Sequence, residues 1–140
     1  MRLGALWLGL TLLATAAVTP LAAQTPAVKP PAVVPAEDRA AYDAAFQDSL
    51  SKPADPDTLV KFAAAAIKIG DLEGAISALD RLLLIDGENP EVQLELGVLY
   101  FRLGSLEAAR SYLAAARDSP RAPPETKARA ASFLREARIP

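Results

Sequence analysis

The sequence predicts an all-α protein: a short right-handed solenoid of two helical hairpins with a flanking helix at each end. The main observation is that helix-start and helix-stop signals recur with a spacing of 34 residues from Asp55 onward. Such a period is typical of stacked helical repeats. The second observation is the abundance of alanine in these segments, because alanine has the highest intrinsic helix propensity.

The helix-start signal is a capping residue followed by proline, as in Asp55-Pro56 and Asn89-Pro90. Proline suits the first helical position because the amide that it lacks would have no partner there. Other pairs at the same spacing are Gly70/Gly104, Leu72/Leu106, Ala75/Ala109, Leu79/Leu113 and Pro90/Pro124. These pairs predict one repeat over 56–89, a second over 90–123 and a C-terminal capping helix over 124–139.

Each hairpin turn is predicted at a glycine, Gly70 in the first repeat and Gly104 in the second. Glycine is the residue that most readily adopts the left-handed conformation found at helix ends. The next residues, Asp71 and Ser105, can cap the helix that follows.

The second hairpin is expected to be closely packed at Gly97 and Ala109, because a larger side chain there would separate its two helices. Four large residues of its first helix form a stripe that the hairpin is expected to bury: Leu96, Leu99, Tyr100 and Leu103.

The N-terminal part of the chain has a different organisation. Residues 1–23 combine a basic start, an uncharged apolar run and a small residue, Ala23, as a secretory signal peptide does. An exported, periplasmic location follows as an expectation. Residues 24–36 hold four prolines in 13 residues and read as a linker. Residues 37–51 are predicted to form a helix whose Tyr42 and Phe46 pack on the first repeat.

Composition excludes several classes of function. The formal net charge is −2, which disfavours a nucleic-acid partner. The chain has no Cys and no His, so it lacks thiol chemistry, the commonest metal ligand and the commonest general base. The acidic residues fit helix caps and solvated helix faces. We therefore expect no catalytic residues, no metal site, no cofactor and no enzymatic activity.

The period and its residue types resemble the tetratricopeptide repeat. The second unit carries Leu96-Gly97, Tyr100, Ala109 and Leu113 in the positions of the family pattern, whereas Gln93 stands where tryptophan is usual. The first unit is looser. The resemblance covers residues 56–139 and implies a scaffold that binds other proteins.

The order of segments is also similar to the N-terminal repeat region of exported bacterial proteins in which an outer-membrane barrel follows, such as surface lipoprotein assembly modulators. The stretch that carries this likeness is "LLLIDGENPEVQLELGVLYFRLGSLEAARSYL". It implies association with the cell envelope or outer membrane.

The family resemblance implies a peptide-binding concave face formed by the first helix of each unit. The residues placed on that face are Val60, Ala64, Ile67, Lys68, Leu94, Val98, Phe101, Arg102, Ser132 and Arg135. An apolar floor with basic residues beside it suits an amphipathic helix or an extended peptide. In the alternative interpretation, Ile67 and Phe101 belong to the core or lie under the Tyr42/Phe46 helix.

Two functions follow from these observations. The first is a periplasmic interaction module that binds a protein or peptide partner on the concave face. The second is a structural accessory of an outer-membrane barrel or envelope assembly, or a self-associating handle that forms a homodimer, without a free peptide ligand.

Overall fold

The computed structural model describes residues 33–136, which form six helices and contain no strand. The predicted signal peptide and most of the predicted linker lie outside these residues. The helices are α1 (Ala36–Ser51), α2 (Pro56–Ile69), α3 (Leu72–Ile85), α4 (Pro90–Arg102), α5 (Leu106–Asp118) and α6 (Pro124–Glu136). The helices α2/α3 and α4/α5 form the two hairpins, and α1 and α6 flank them. The all-α prediction is confirmed.

The helix ends follow the chemistry of the capping residues. The Asp55 carboxylate accepts a hydrogen bond from the Thr58 amide at 2.9 Å, and the Asn89 side chain accepts from the amides of Glu91 and Val92, each at 3.1 Å. Each of these caps precedes a proline at the start of its helix. Helices α2 and α4 therefore begin in the same way, with a capping side chain followed by proline.

The two hairpin turns contain glycines in the left-handed conformation, as predicted. Gly70 has φ 86° and Gly104 has φ 76°. After Gly70, the Asp71 carboxylate accepts from the Gly74 amide at 3.0 Å. Ser105 occupies the equivalent position but makes no side-chain capping hydrogen bond, so the expectation of a Ser105 cap was wrong.

The core has two clusters. The first lies between α2, α3 and α4 and includes Leu59, Phe62, Leu79 and Leu96. The second lies between α4, α5 and α6 and is centred on Leu94, Ala109, Leu113, Ala116 and Ala130. Because α4 contributes to both clusters, it holds the two hairpins and α6 together.

The predicted close packing of the second hairpin is present at Gly97. A β-carbon on Gly97 would lie 2.6 Å from Cγ of Leu113, and Ala109 is fully buried. Of the predicted stripe, Leu96 and Leu99 are buried, whereas Tyr100 is half-buried and Leu103, which follows the last residue of α4, is 40% exposed.

Helix α1 packs on the first hairpin through its aromatic residues, as predicted. The rings of Tyr42 and Phe46 each lie 5.6 Å, centroid to centroid, from the ring of Phe62. The Tyr42 hydroxyl donates a hydrogen bond of 2.6 Å to Asp71, which raises the pKa of Tyr42. Helix α1 is thus anchored at the start of α3.

Candidate functional site

A groove lies between α2 and α4, the first helices of the two hairpins. It has a volume of about 260 Å³, and its lining is formed by Val60, Ala63, Ala64, Ile67, Leu79 and Glu95. The walls come from α2 and α4, and Leu79 of α3 lies between them. We call this the α2/α4 groove.

The structure brings three of the predicted binding residues together in this groove. Val60, Ala64 and Ile67 lie on one side of α2, one or two turns apart. Val60 is 54% exposed and Ala64 is also exposed, whereas Ile67 is half-buried against the first core cluster. The alanines at 63 and 64 keep the groove open because they carry only a methyl group.

Lys68 is also predicted to bind a ligand, but its side chain has a partner within the protein. Its Nζ lies 2.6 Å from a carboxylate oxygen of Asp38 in α1, and this pairing raises the pKa of Lys68. Lys68 therefore forms an ion pair that joins the end of α2 to the start of α1. It is not among the residues that line the α2/α4 groove.

The α4 residues of the predicted site lie in different environments. Leu94 is only 1% exposed and belongs to the second core cluster, so the structure places it in the core instead of on the binding face. Val98 and Phe101 are half-buried. The Phe101 ring meets the ring of Phe133 in α6 edge-on at 5.9 Å, so α6, and not α1, covers it.

The remaining predicted residues lie apart from the groove. Arg102 and Arg135 are exposed, near the ends of α4 and α6, and Ser132 is half-buried. None of these three is among the residues that line the α2/α4 groove. The basic side chains expected beside the apolar floor are thus not assembled there by Lys68, Arg102 or Arg135.

Ala63, Leu79 and Glu95 line the groove but were not among the predicted binding residues, and Glu95 is the charged one. One of its carboxylate oxygens accepts a hydrogen bond of 3.3 Å from Arg129 in α6. A signal was present in the sequence, because Glu95 and Arg129 are separated by the repeat spacing of 34 residues. Among the described residues, the Glu95 carboxylate is therefore the one charged group in the lining of an otherwise apolar groove, and it is paired with Arg129.

The α2/α4 groove offers apolar side chains and one carboxylate as contacts for a ligand. Within residues 33–136 no three His, Cys, Asp or Glu side chains are grouped so that they could hold a metal ion. In the same part of the chain no helix is both long enough and apolar enough to cross a lipid bilayer.

Comparisons with known proteins agree with this architecture. Residues 66–134 match the family described as tetratricopeptide repeat. A search of curated proteins finds no match. Among solved structures, the chain is similar to PcrH in its crystal structure with the chaperone binding region of PopD, with a TM-score of 0.63 and 21% identity. That similarity covers 72% of this chain and 78% of PcrH. Residues 66–134 therefore match the tetratricopeptide repeat family, and the chain has the helical repeat fold of that family.

Proposed function

We propose that this protein is a non-enzymatic interaction module that binds a segment of another polypeptide in the α2/α4 groove. The observation that supports it is the apolar surface left open between the hairpins, where Val60 is 54% exposed beside Ala64 and above Leu79. Covering this exposed apolar surface with a ligand favours binding, by about 25 cal/mol for each Å² removed from water.

The structural relative supports a peptide as the ligand class. PcrH is described in complex with the chaperone binding region of PopD, so the same fold accommodates a segment of a partner protein. For the present chain, an aliphatic side chain of the partner would enter the groove between α2 and α4, next to Val60 and Ala64. The ion pair of Glu95 with Arg129 would lie at one side of the bound segment.

A crosslinking experiment tests this proposal directly. A photoreactive p-benzoylphenylalanine is placed at Ala64, in the groove, or at Ser111, which is exposed on α5 and lines none of the clefts described. Both variants are irradiated in extracts of the native host, and the crosslinked segments are identified by mass spectrometry. We expect products of defined sequence at Ala64 only.

The control for this experiment is a second substitution in the groove. Val60→Glu places a charge on the apolar wall and should abolish the Ala64 product, whereas Ser111→Glu should leave it unchanged. Equal crosslinking at both positions, or a product that survives Val60→Glu, would contradict the proposal. A product between two copies of the chain would favour the alternative function of a self-associating handle.

We further propose that the protein acts in the bacterial periplasm, in association with the cell envelope. The support is the signal-like sequence of residues 1–23, which predicts cleavage after Ala23. The mature chain should then begin at or near Gln24. Intact-mass measurement on protein recovered from the periplasmic fraction checks this prediction, and a full-length species held in the membrane would contradict it.

A further inference from the structure

A second and larger cleft lies between α3 and α5, the second helices of the two hairpins. Its volume is about 730 Å³, and the end of α4 contributes to its wall. The residues that matter for its chemistry are Glu73, Asp80, Leu84, Tyr100, Leu103 and Tyr112. We call this the α3/α5 cleft. It shares no residue with the α2/α4 groove.

One wall of the α3/α5 cleft is aromatic. The rings of Tyr100 and Tyr112 are stacked, with centroids 5.5 Å apart and planes inclined by 4°. Next to them, large aliphatic side chains are open to solvent, since Leu84 is 86% exposed and Leu103 is 40% exposed. This surface has aromatic and aliphatic parts side by side, as protein-binding surfaces often do.

Asp80 lies in this wall and is half-buried. The Tyr112 hydroxyl donates a hydrogen bond of 3.3 Å to its carboxylate, and burial raises the pKa of Asp80 above the usual value for aspartate. The ion pairs formed among residues 33–136 do not include Asp80. Its negative charge is therefore partly removed from water without a compensating cation.

The neighbouring cation, Arg81, is directed elsewhere. Its guanidinium donates hydrogen bonds to the backbone oxygens of Ser49 and Pro53, at the end of α1. The other ionisable groups that line the cleft are Glu73, Tyr100 and Tyr112. Arg81 keeps its charge but forms no ion pair with Asp80, so the cleft lining holds two carboxylates, Asp80 and Glu73, and one guanidinium that is hydrogen-bonded to the α1 segment.

We propose that the α3/α5 cleft binds a segment of a partner polypeptide in which an arginine stands beside a large aliphatic residue. The guanidinium pairs with the Asp80 carboxylate next to the Tyr100/Tyr112 wall, and the aliphatic side chain covers Leu84 and Leu103. Arginine fits better than lysine, because its planar group forms two parallel hydrogen bonds with a carboxylate, stacks on aromatic rings and is more weakly hydrated.

The binding test uses the full chain and a fluorescein-labelled peptide with a Leu-Arg-Leu core between Gly-Ser flanks. The reference peptide contains citrulline, the neutral isostere of arginine, in place of the arginine. Fluorescence anisotropy gives the two affinities, and amide chemical shifts locate the contact. We expect the arginine peptide to bind roughly tenfold tighter or more, with shifts around Asp80 and Leu84.

Matched variants assign the preference to the cleft. Asp80→Asn should abolish the difference between the two peptides, whereas Asp43→Asn, which removes the same charge from an exposed site on α1, should preserve it. Leu84→Ser should weaken both peptides several-fold, whereas Leu50→Ser, at a position that is 59% exposed on α1, should not. Circular dichroism confirms that each variant is folded.

Three results would overturn the proposal: no saturable binding of the arginine peptide at millimolar concentration, an arginine preference that survives Asp80→Asn, or a concentration-dependent dimer that Leu84→Ser dissociates. The last would mean that a second copy of the chain occupies the cleft. Val60→Glu should leave the arginine preference unchanged, so a failure of the α2/α4 groove is distinguishable from a failure here.

Discussion

At the residue scale, glycine has two different uses in this fold. Gly70 and Gly104 end helices with positive φ, and a β-carbon on either would meet no other atom within 4 Å. Gly97 has the opposite character, because it lies within a helix and is required by its contact with Leu113. The first use depends on backbone conformation and the second on interhelical distance.

Gly97→Ala should therefore lower the free energy of unfolding by about 1–3 kcal/mol, because the added β-carbon would overlap Leu113. The matched control is Gly87→Ala, where the new β-carbon would lie 3.5 Å from the Leu83 carbonyl oxygen, an ordinary contact. Urea unfolding followed by circular dichroism measures both. A Gly97→Ala protein as stable as Gly87→Ala would contradict the close packing of α4 on α5.

A further glycine, Gly74, lies against the carboxylate that caps the start of α3. A β-carbon on Gly74 would lie 2.1 Å from Oδ2 of Asp71. Because Gly74 lacks that carbon, Oδ2 of Asp71 can accept from the Tyr42 hydroxyl while Oδ1 accepts from the Gly74 amide. In the second repeat the equivalent residues are Ser105 and Ala108, and no such cap forms.

At the element scale, α1 is fastened to the first hairpin at both of its ends. Near its start are the Tyr42–Asp71 hydrogen bond and the Lys68–Asp38 ion pair, and near its end Arg81 reaches the backbone oxygen of Ser49. Helix α1 therefore covers one side of the first hairpin, as a capping helix does in a helical repeat array.

Tyr42→Phe tests this attachment by removing only the hydroxyl. We expect a loss of roughly 1–3 kcal/mol in unfolding free energy, because Asp71 accepts this hydrogen bond as a charged group at 2.6 Å. Tyr112→Phe is the control, since its hydrogen bond to Asp80 is longer, at 3.3 Å, and should contribute less. If both variants lose the same stability, the short hydrogen bond has no special role in holding α1.

Helix α6 covers the other end of the array, and its contact with α4 is aromatic. Phe101 and Phe133 meet edge-on at 5.9 Å, so their contributions to stability should be coupled. A double-mutant cycle with Phe101→Ala and Phe133→Ala should give a coupling energy of about 0.5–1.5 kcal/mol. Additive losses in urea unfolding would show that the two rings stabilise the fold independently.

At the scale of the whole molecule, the sequence predicts the repeat but not how far each face is covered. The spacing of 34 residues locates the glycines of both turns, since the same turn needs the same backbone conformation. It does not show that Leu94 is buried or that Phe101 meets Phe133, because both depend on how α6 packs on α4 and α5. The burial of a side chain depends on packing between helices, which the periodicity within one helix does not predict.

The same limit explains why the sequence alone predicts only helix caps and solvated faces for the acidic residues. Asp86 and Glu95 form ion pairs with Arg121 and Arg129 of the following segment, at distances of 3.0 and 3.3 Å. Asp80 lies in a cleft that forms only when the two hairpins stack. The helical pattern places Asp80 and Glu95 on the outside of their helices and Asp86 just after the end of α3, but the neighbouring repeat decides the environment of each.

These environments predict opposite pH effects on stability from two aspartates. Arg121 lowers the pKa of Asp86 below 3.8, the usual value for aspartate, so the stability from this group is present above pH 3.8 and is lost as the pH falls through the lowered pKa. Burial raises the pKa of Asp80 above 3.8. Between pH 3.8 and that raised value the folded state binds more protons, so rising pH reduces stability, and at neutral pH the full cost of the buried charge remains.

Comparing wild type with Asp80→Asn and Asp86→Asn separates the two effects. At pH 7 the Asp80→Asn protein should melt higher than wild type, since asparagine can still accept from Tyr112 and carries no buried charge. The Asp86→Asn protein should melt lower at pH 7, because Arg121 loses its partner. Both differences should shrink as the pH falls and the carboxylates become protonated. Melting temperatures measured from pH 3 to pH 7 decide the matter: if Asp80→Asn is less stable than wild type at pH 7, the Asp80 charge is compensated within the protein and does not require a cation from a partner.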